Sequence, residues 1–526
     1  MNRNRSTFLP LCLAAVAGVA VLWACSGAPE PQTEPAAEPE KTVATEAPTP
    51  SEAVKDDSVE KKDALPASYR DIQFPEFHYV APYPKDYRVE VAPGITGYIV
   101  SDRSLPLVNF TVYFEEPRVP LALKDEAANS MVGSMLRRGG GGGLAARALD
   151  DSLEFISAGM KTSVGVFTSM FDIDCLSKDF PGMLQLTKQV LTAPTFDKEQ
   201  LEIMRANFLT AYDRRYDTPA KVLSALRYKV NYVPGPRLWD ANAAEYKKVS
   251  SADIKRLSQG IYSSDRIVFA LSGDVDKDSS VVMLKEFFES WKASLKKVPA
   301  PKKQAPVVST EVKPLEFLRK PGIYVVDKDI TQANISMNQP FVRRPHADYY
   351  PAAVANFILG GGSFTSRLMN RVRSDEGLAY SVYSSVGNDY RDTAMVTIAL
   401  QTKVESVDFA LKLIREVVKE FAEQGPTEEE LVQAKKSLIE SLPSLFDSPA
   451  STADIFARGE LVGKSYDHYL DYVKEINAVT AEQVKEMVKK YFDMDKMTVS
   501  IVAPVSKLDA VKPFTVVPLD SLEFRK

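Results

Sequence analysis

The alternation of apolar and polar positions changes its period several times along the second half of the chain. Apolar residues at every second position predict half-buried strands, whereas apolar residues three and four positions apart predict amphipathic helices. Strands that come before long helices, in both halves, predict an α+β fold in which helices pack on one face of an antiparallel sheet. The predicted strands are 334–340, 380–386 and 393–402, and the predicted helices are 350–359, 365–373, 407–423 and 428–442.

The chain also repeats itself at an interval of 230 residues. The helical segment that opens at 197–201 returns at 427–431, and the helix, turn and strand of 251–275 return without a gap at 481–505. Two matches at one interval predict a duplicated unit, so we expect two homologous half-units. The predicted boundaries are 67–296 for the N-terminal unit, 297–312 for a Pro- and Lys-rich linker and 313–526 for the C-terminal unit.

The N-terminus has a different pattern. Arg3 and Arg5 precede an apolar run over 8–23, which is shorter than the roughly 20 residues that a membrane-spanning helix needs. A basic region, a short apolar run and a small residue before Cys25 are the layout of a secretory signal. We therefore predict a signal peptide over 1–25.

Residues 22–25, Leu-Trp-Ala-Cys, resemble a bacterial lipobox, in which the cysteine is lipidated and becomes the mature N-terminus. The resemblance implies lipidation at Cys25, and Ser26 at the next position favours the outer over the inner membrane. The expected location is the periplasmic face of the outer membrane of a Gram-negative bacterium. Cleavage elsewhere, or an uncleaved anchor, remains the alternative.

Residues 26–66 form an acidic segment rich in Pro, Ala and Glu, without an aromatic residue before position 67. Such a composition cannot bury enough apolar surface to offset its ordering entropy, which predicts a disordered tether. The tether carries most of the negative charge, so the remaining body is nearly neutral although the whole chain has a formal charge of −5. Nothing in this balance favours a nucleic-acid partner.

The chain has three cysteines: Cys12 in the signal, Cys25 at the lipidation position and Cys175 in the body. A single remaining thiol allows neither an internal disulfide nor a cysteine-based zinc site. We expect Cys175 to be a small buried residue on a strand.

The most distinctive motif lies at 360–385, GGGSFTSRLMNRVRSDEGLAYSVYSS, where a Gly-rich turn opens a helix. Arg373 lies near the end of that helix and Tyr380 follows on a predicted strand. This arrangement resembles the second-half signature of the insulinase/pitrilysin-type zinc peptidases. Without the surrounding pattern, Arg373 would be interpreted as half of a surface ion pair and Tyr380 as an ordinary strand aromatic.

In that family the first half carries a zinc-binding helix with the motif H-x-x-E-H, followed by Met-Leu, two residues and Gly. Here 135–139, Met-Leu-Arg-Arg-Gly, takes the latter place, so the motif falls on Ser130, Gly133 and Ser134. The third ligand of the family, a glutamate, aligns near Ala211. None of these residues is a zinc ligand or a general base. The three histidines of the chain, His78, His346 and His468, stand alone.

The resemblance implies a clamshell of two half-units that lacks its own zinc site and pairs with another chain. Two-chain members of the family divide the site, so we expect a partner subunit that carries the zinc motif and the zinc. Arg373 would hold a carbonyl of an extended peptide substrate, and Tyr380 would donate to the oxyanion of the tetrahedral intermediate. The chain would then be the non-catalytic subunit of a heterodimeric periplasmic metalloendopeptidase, without a cofactor of its own.

Two alternatives remain open. The first is a catalytically inactive clamshell that acts as a peptide-binding or assembly scaffold. The second is an independent zinc peptidase, which requires a set of ligands that the sequence does not provide. The substrate, the partner and the choice between a homodimer and a heterodimer are not determined by the sequence.

Overall fold

A computed structural model describes residues 79–296 and 308–525. The predicted signal peptide, Cys25, the tether and His78 lie outside the described residues, as does 297–307 of the predicted linker. All of the described residues belong to one unit that begins at Glu76.

The first half has seven strands and nine helices among the described residues. Its strands are β1 (Arg88–Ala92), β2 (Ile95–Ser101), β3 (Leu107–Glu115), β4 (Val119–Pro120), β5 (Gly159–Val164), β6 (Thr168–Leu176) and β7 (Ile267–Gly273). Its helices are α1 (Pro84–Tyr87), α2 (Glu126–Arg138), α3 (Ala146–Phe155), α4 (Phe180–Thr192), α5 (Lys198–Asp213), α6 (Pro219–Asn231), α7 (Ala243–Lys248), α8 (Ser251–Leu257) and α9 (Lys277–Lys296).

The second half follows the same plan, with two π-helical segments at Phe357–Gly361 and Met369–Asp375. Its strands are β8 (Val308–Ser309), β9 (Gly322–Asp327), β10 (Gln332–Pro340), β11 (Ala379–Val386), β12 (Met395–Lys403), β13 (Thr498–Ala503) and β14 (Thr515–Val516). Its helices are α10 (Tyr349–Asn356), α11 (Val407–Gln424), α12 (Glu428–Glu440), α13 (Pro449–Leu461), α14 (His468–Ala478) and α15 (Ala481–Tyr491).

Each half contributes one six-stranded sheet, and the predicted α+β class is confirmed. The first sheet has the order β1-β2-β7-β3-β6-β5 and the second has the order β11-β12-β10-β13-β9-β14. Both sheets are mixed rather than purely antiparallel, because β2 pairs with β7, and β9 with β13 and β14, in parallel. Strand β8 instead joins β4 in a separate two-stranded sheet.

Helix caps in the two halves correspond. Three pairs of helices begin at a short polar residue whose side chain accepts a hydrogen bond from the third helical N–H, which stabilises the helix start. The members of each pair lie 230 positions apart, so the repeat seen in the sequence appears again in local structure. The pairs are Asp197 and Thr427, Thr218 and Ser448, and Ser250 and Thr480.

One helix from each half crosses to the sheet of the other half, so helices cover both faces of each sheet rather than one. Helix α13 packs on β2, β3 and β7 of the first sheet, and α6 packs on β9, β10 and β13 of the second. Apolar side chains form the centre of both contacts. On the first sheet they involve Tyr98, Tyr113, Val268, Ala270, Ala453, Phe456, Ala457 and Leu461; on the second they involve Val222, Leu226, Val230, Val326 and Val502.

Most predicted elements of the second half are present within a few residues of their expected ends. The exception is the helix predicted over 365–373, where the chain forms a 3-10 turn at Ser363–Thr365 and then the π-helical segment. Cys175 is buried on β6, as expected, and burial raises the pKa of its thiol to about 12. Within 79–296 and 308–525, none of the helices has the length and apolar character needed to cross a membrane.

Candidate functional site

Helix α2 carries three of the four positions that align with the family's zinc site. Ser130 is exposed, and its Oγ donates to the carbonyl of Ala127 at 3.0 Å. Gly133 is buried, and its carbonyl accepts a hydrogen bond from Thr162 Oγ1 on β5 at 2.7 Å. Ser134 is half-buried. A hydrogen bond thus joins helix α2 to β5, the edge strand of the first sheet, at Gly133, the position that aligns with the family's glutamate.

The contact at Gly133 leaves little room for a side chain. A Cβ at this position would lie 3.1 Å from the backbone nitrogen of Val164 and 3.5 Å from Cα of Ser163. The first distance is tighter than ordinary van der Waals contact, and the neighbouring atoms are backbone, which cannot rotate away. A glutamate at position 133 would therefore require α2 and β5 to move apart by a few tenths of an ångström.

The fourth position, Ala211, lies on α5, which packs against α2. A methyl group cannot ligate a metal. Elsewhere in the described ranges, there is no group of three or more His, Cys, Asp or Glu side chains placed to hold a metal ion. The residues present at Ser130, Gly133, Ser134 and Ala211 therefore do not suit zinc.

A short C-terminal segment, Leu522–Arg525, lies beside this region, and no sequence pattern predicts that position. The phenol of Tyr212, next to Ala211, donates to Glu523 Oε1 at 2.9 Å, and Arg215 Nε pairs with the same oxygen at 3.0 Å. Lys229 Nζ on α6 donates to the Glu523 carbonyl at 2.9 Å. The segment is therefore held against both α5 and α6.

The end of the same segment forms hydrogen bonds with the loop before α7. The backbone N–H of Phe524 donates to Asp240 Oδ2 at 2.8 Å, and the N–H of Asp240 donates back to the Phe524 carbonyl at 2.9 Å. Arg525 forms a bidentate pair with Glu245 on α7, with both N–O distances at 2.8 Å. These contacts join residues almost 300 positions apart, and no local sequence pattern encodes them.

Glu126, at the start of α2, is a second residue that sequence reasoning missed. Burial, and then the nearby charge of Asp240, raise the pKa of Glu126 to about 8. A carboxyl with such a pKa is largely protonated at neutral pH. In the sequence it is an unremarkable glutamate in the first turn of a helix, because the neighbour that perturbs it is distant along the chain.

Arg373 lies in the second π-helical segment, at the edge of the second sheet. It is half-buried, its guanidinium lies 4.9 Å from the centroid of the Phe364 ring, and Nη1 is 3.8 Å from Met369 Sδ. Its carbonyl accepts from the N–H of Gly377 at 3.0 Å, which closes the turn leading to β11. Gly377 has a φ of +63°, a conformation that favours glycine at this turn.

The backbone of Tyr380 lies on β11, and its side chain is outside the described residues. Ala379 pairs with Thr402 and Ser381 pairs with Gln401, so Tyr380 is the extra residue of a β-bulge. Bulges at sheet edges change the direction of a side chain and are common near active sites. The structure therefore brings the backbones of Arg373 and Tyr380 to one edge of the second sheet, whereas the four degenerate positions belong to helices of the first half.

Comparisons with known proteins identify relatives of this chain. Residues 248–438 match the sequence profile described as "Peptidase M16 inactive domain". A relative from Helicobacter pylori named "Non-peptidase homolog YmxG" is 27% identical over 330 residues, which cover 61% of this chain and 71% of the relative. A relative from Bacillus subtilis named "Uncharacterized zinc protease YmxG" is 26% identical over 303 residues, 57% of this chain and 70% of the relative.

Solved structures extend the similarity over most of the chain. A peptidase M16 inactive domain from Pseudomonas fluorescens aligns with a TM-score of 0.64 and 24% identity, covering 80% of this chain and 98% of that protein. The periplasmic protease PqqL from Escherichia coli aligns with a TM-score of 0.63 and 16% identity, covering 84% of this chain and 49% of PqqL. At these identities the structures establish the fold. The resemblance to insulinase/pitrilysin-type peptidases is therefore confirmed: residues 248–438 match the inactive-domain profile of peptidase M16, and the chain has the fold of such domains.

Proposed function

We propose that this chain is the non-catalytic subunit of a heterodimeric periplasmic zinc metalloendopeptidase. The observation that carries the proposal is the contrast between the two halves. The first half has Ser130, Gly133, Ser134 and Ala211 at the family's zinc positions, whereas the second half retains Arg373 and Tyr380 at a bulged sheet edge.

In this proposal the partner is a homologous chain that carries H-x-x-E-H and binds zinc. In the part of the chain that the structure describes, β12 is the one strand paired with β11, so the outer edge of β11 is where an extended peptide could add as a further strand. Arg373 would hold a peptide carbonyl, and Tyr380 would donate to the developing oxyanion. Loss of one oxyanion donor typically costs about a hundredfold to a thousandfold in kcat.

The test is co-expression of this chain with a zinc-motif homologue, followed by a cleavage assay on an unstructured peptide. The double variant Arg373→Ala, Tyr380→Phe is expected to lose at least a hundredfold in kcat while the complex still forms. Matched controls are Arg371→Ala, from the same π-helical segment, and Tyr383→Phe, an exposed tyrosine of the same strand. Both controls should cleave at the original rate.

Unchanged cleavage by the double variant would show that the two chains do not share a site in this way. If instead the purified chain alone held stoichiometric zinc and lost proteolysis on chelation, it would be an independent peptidase.

A scaffold without catalysis is the second candidate, and the C-terminal segment supports it. Leu522–Arg525 occupies the surface beside α5 and α7, next to the degenerate positions. A chain that only binds peptides or assembles with other proteins has no need of an open surface there. Peptide binding by the complex with no cleavage under any metal condition would favour this alternative.

A further inference from the structure

A buried arginine in the second half forms no ion pair within the described ranges. Arg344 follows β10 and is only 7% exposed. Its guanidinium lies 3.7 Å from the ring centroid of Tyr349 and 4.9 Å from that of Tyr390. Its Nε is buried and has no hydrogen-bond partner in the described part of the chain. A buried charge without an ionic partner is costly, and proteins keep such groups mainly where something completes them.

Two further basic groups lie in the same aromatic cluster. Lys464 Nζ is 5.3 Å from the ring centroid of Tyr390, the ring that Arg344 also contacts, and 5.8 Å from that of Tyr469. Burial, and then the charge of Arg344, lower the pKa of Lys464 to about 8. Burial, then Lys464 and Arg344, lower the pKa of His468 to about 3. Both shifts therefore come from burial and from neighbouring positive charge.

Arg344 opens onto a pocket of about 480 Å³ between α10, α14 and α15. This volume lies within the range of small-molecule sites. Tyr350 and Gln483 line the pocket with Arg344. The Gln483 carbonyl oxygen already accepts from the N–H of Thr480 at 2.9 Å, which leaves the amide NH₂ as a donor. The wall therefore combines an aromatic ring, a guanidinium and an amide donor.

The nearby carboxylates do not neutralise Arg344. Asp348 accepts from Lys490 Nζ at 2.7 Å and from the Tyr491 hydroxyl, so it is engaged elsewhere. Glu475 also lines the pocket, but it is exposed, where water and salt screen its charge.

We propose that this pocket binds a small organic anion, with a carboxylate or phosphate group on the Arg344 guanidinium and the remainder of the molecule against Tyr350. Guanidinium forms bidentate hydrogen bonds with both kinds of anion, so either group suits the chemistry. The proposal is independent of the peptidase role, because the pocket lies among helices of the second half and not at β11.

The first experiment measures the thermal unfolding of the full chain with increasing inorganic phosphate or acetate, against sodium chloride of equal ionic strength. A ligand that binds the folded state raises Tm progressively with its concentration. We expect a rise in Tm beyond that in chloride, which is abolished in Arg344→Met and reduced in Lys464→Met. Glu475→Gln is the matched control. It removes a negative charge that would repel the anion from the pocket wall, so the rise in Tm should be kept or become larger.

Arg344→Met should be at least as stable as the original chain without added anion, because it replaces an unpaired buried charge by an apolar side chain. If this variant does not fold, line broadening of the phosphate signal in ³¹P NMR, compared between the original chain and Lys464→Met, decides the question. The absence of a phosphate or acetate effect beyond that of chloride, or an equal effect in Arg344→Met, would overturn the proposal.

The source of the anion is distinguished by co-sedimentation with phosphatidylglycerol vesicles. Binding to vesicles that is lost in Arg344→Met would assign the pocket to a lipid headgroup. A Tm rise with free phosphate or acetate, together with vesicle binding that does not depend on Arg344, would assign it to a soluble anion.

Discussion

At the scale of single residues, Gly133 of α2 lies so close to the backbone of β5 that a glutamate could not be placed there without moving one of the two elements. The residue types at Ser130, Gly133 and Ala211 exclude zinc ligands without any structure. Only the structure shows that β5 has closed against Gly133, so that a side chain there would meet backbone atoms. Close approach between a helix and a strand is a tertiary property, and a glycine in a helical pattern is compatible with several explanations.

Glu126 gives a prediction about pH. Its folded pKa is about 8, whereas the ordinary value is 4.5. Between these two values the folded state retains a proton that the unfolded state has lost, so the free energy of unfolding falls as pH rises. Glu126→Gln should remove this decline and stabilise the chain at pH 8 and above. Urea unfolding of the original chain and the variant from pH 4.5 to 8.5 measures this decline. A free energy of unfolding that depends on pH in the same way in both proteins would contradict the prediction.

Exposed Glu154, on α3, provides the matched control. Glu154→Gln removes a carboxyl of the same chemistry from the surface of the same half. Its pH profile should coincide with that of the original chain.

At the scale of elements, the strands and helices that can be predicted are those whose signals lie within a few neighbouring residues. The period of the apolar positions, together with helix caps and turn residues, predicts most strands and helices of the second half. The crossing of α13 to the first sheet depends on contacts between positions more than 300 apart, such as Tyr98 with Glu460. The π-helical form of Met369–Asp375 was also missed, because apolar spacing does not separate it from an α-helix.

The anchor of α13 gives a prediction about stability. The Glu460 carboxylate accepts from Tyr98 and Thr96 at 2.7 Å each and from Arg88 Nη2 at 3.0 Å. Burial opposes ionisation, but these hydrogen bonds, with that of Arg88 the strongest, lower the pKa of Glu460 overall. Glu460→Ala should reduce the free energy of unfolding by about 1.5 to 3 kcal/mol, because it removes charge-assisted hydrogen bonds and leaves the half-buried Arg88 without its carboxylate partner. Denaturant unfolding at pH 7 measures the loss.

The comparison variant is Glu440→Gln, which removes an exposed pair with Lys436 on α12. Exposed pairs of this kind contribute about 0.3 to 0.5 kcal/mol. Equal losses in the two variants would show that the Glu460 contacts do not anchor α13.

The C-terminal segment gives a second prediction at this scale. Leu522 is 2% exposed and packs against Val222, Leu226 and Val230 of α6. Leu522→Ala should cost about 2 to 5 kcal/mol, the range for leucine truncations in a core. Leu519, which is 37% exposed, offers a control from the same stretch, and Leu519→Ala should cost much less. A loss below 1 kcal/mol for Leu522→Ala, from denaturant unfolding, would mean that the segment is not firmly seated.

At the scale of the whole molecule, the duplicated plan was visible in the sequence, whereas the relation of the halves was not. The interval of 230 residues predicted two similar units, and each half indeed forms a six-stranded sheet. The exchange of α6 and α13 has no sequence signature, because a helix that crosses to another sheet has the same apolar stripe as one that stays.

The predicted lipid anchor is tested on the intact chain. Cys25→Ser in the full precursor should abolish incorporation of labelled palmitate and move the protein from the membrane to the soluble periplasmic fraction. Cys175→Ser is the control, since this buried thiol should not be lipidated. Continued labelling of Cys25→Ser would place the lipid elsewhere or show that the apolar run itself is the anchor.

The exchanged helices also bear on how such a chain could have originated. A single ancestral half-unit would have left one face of its sheet bare, because the helix that covers that face comes from the other half. Two copies could cover the bare faces as a symmetric homodimer, in which the helix of each copy packs on the sheet of the other. A chain that joins two such copies end to end would then have the crossed helices α6 and α13 that are seen here.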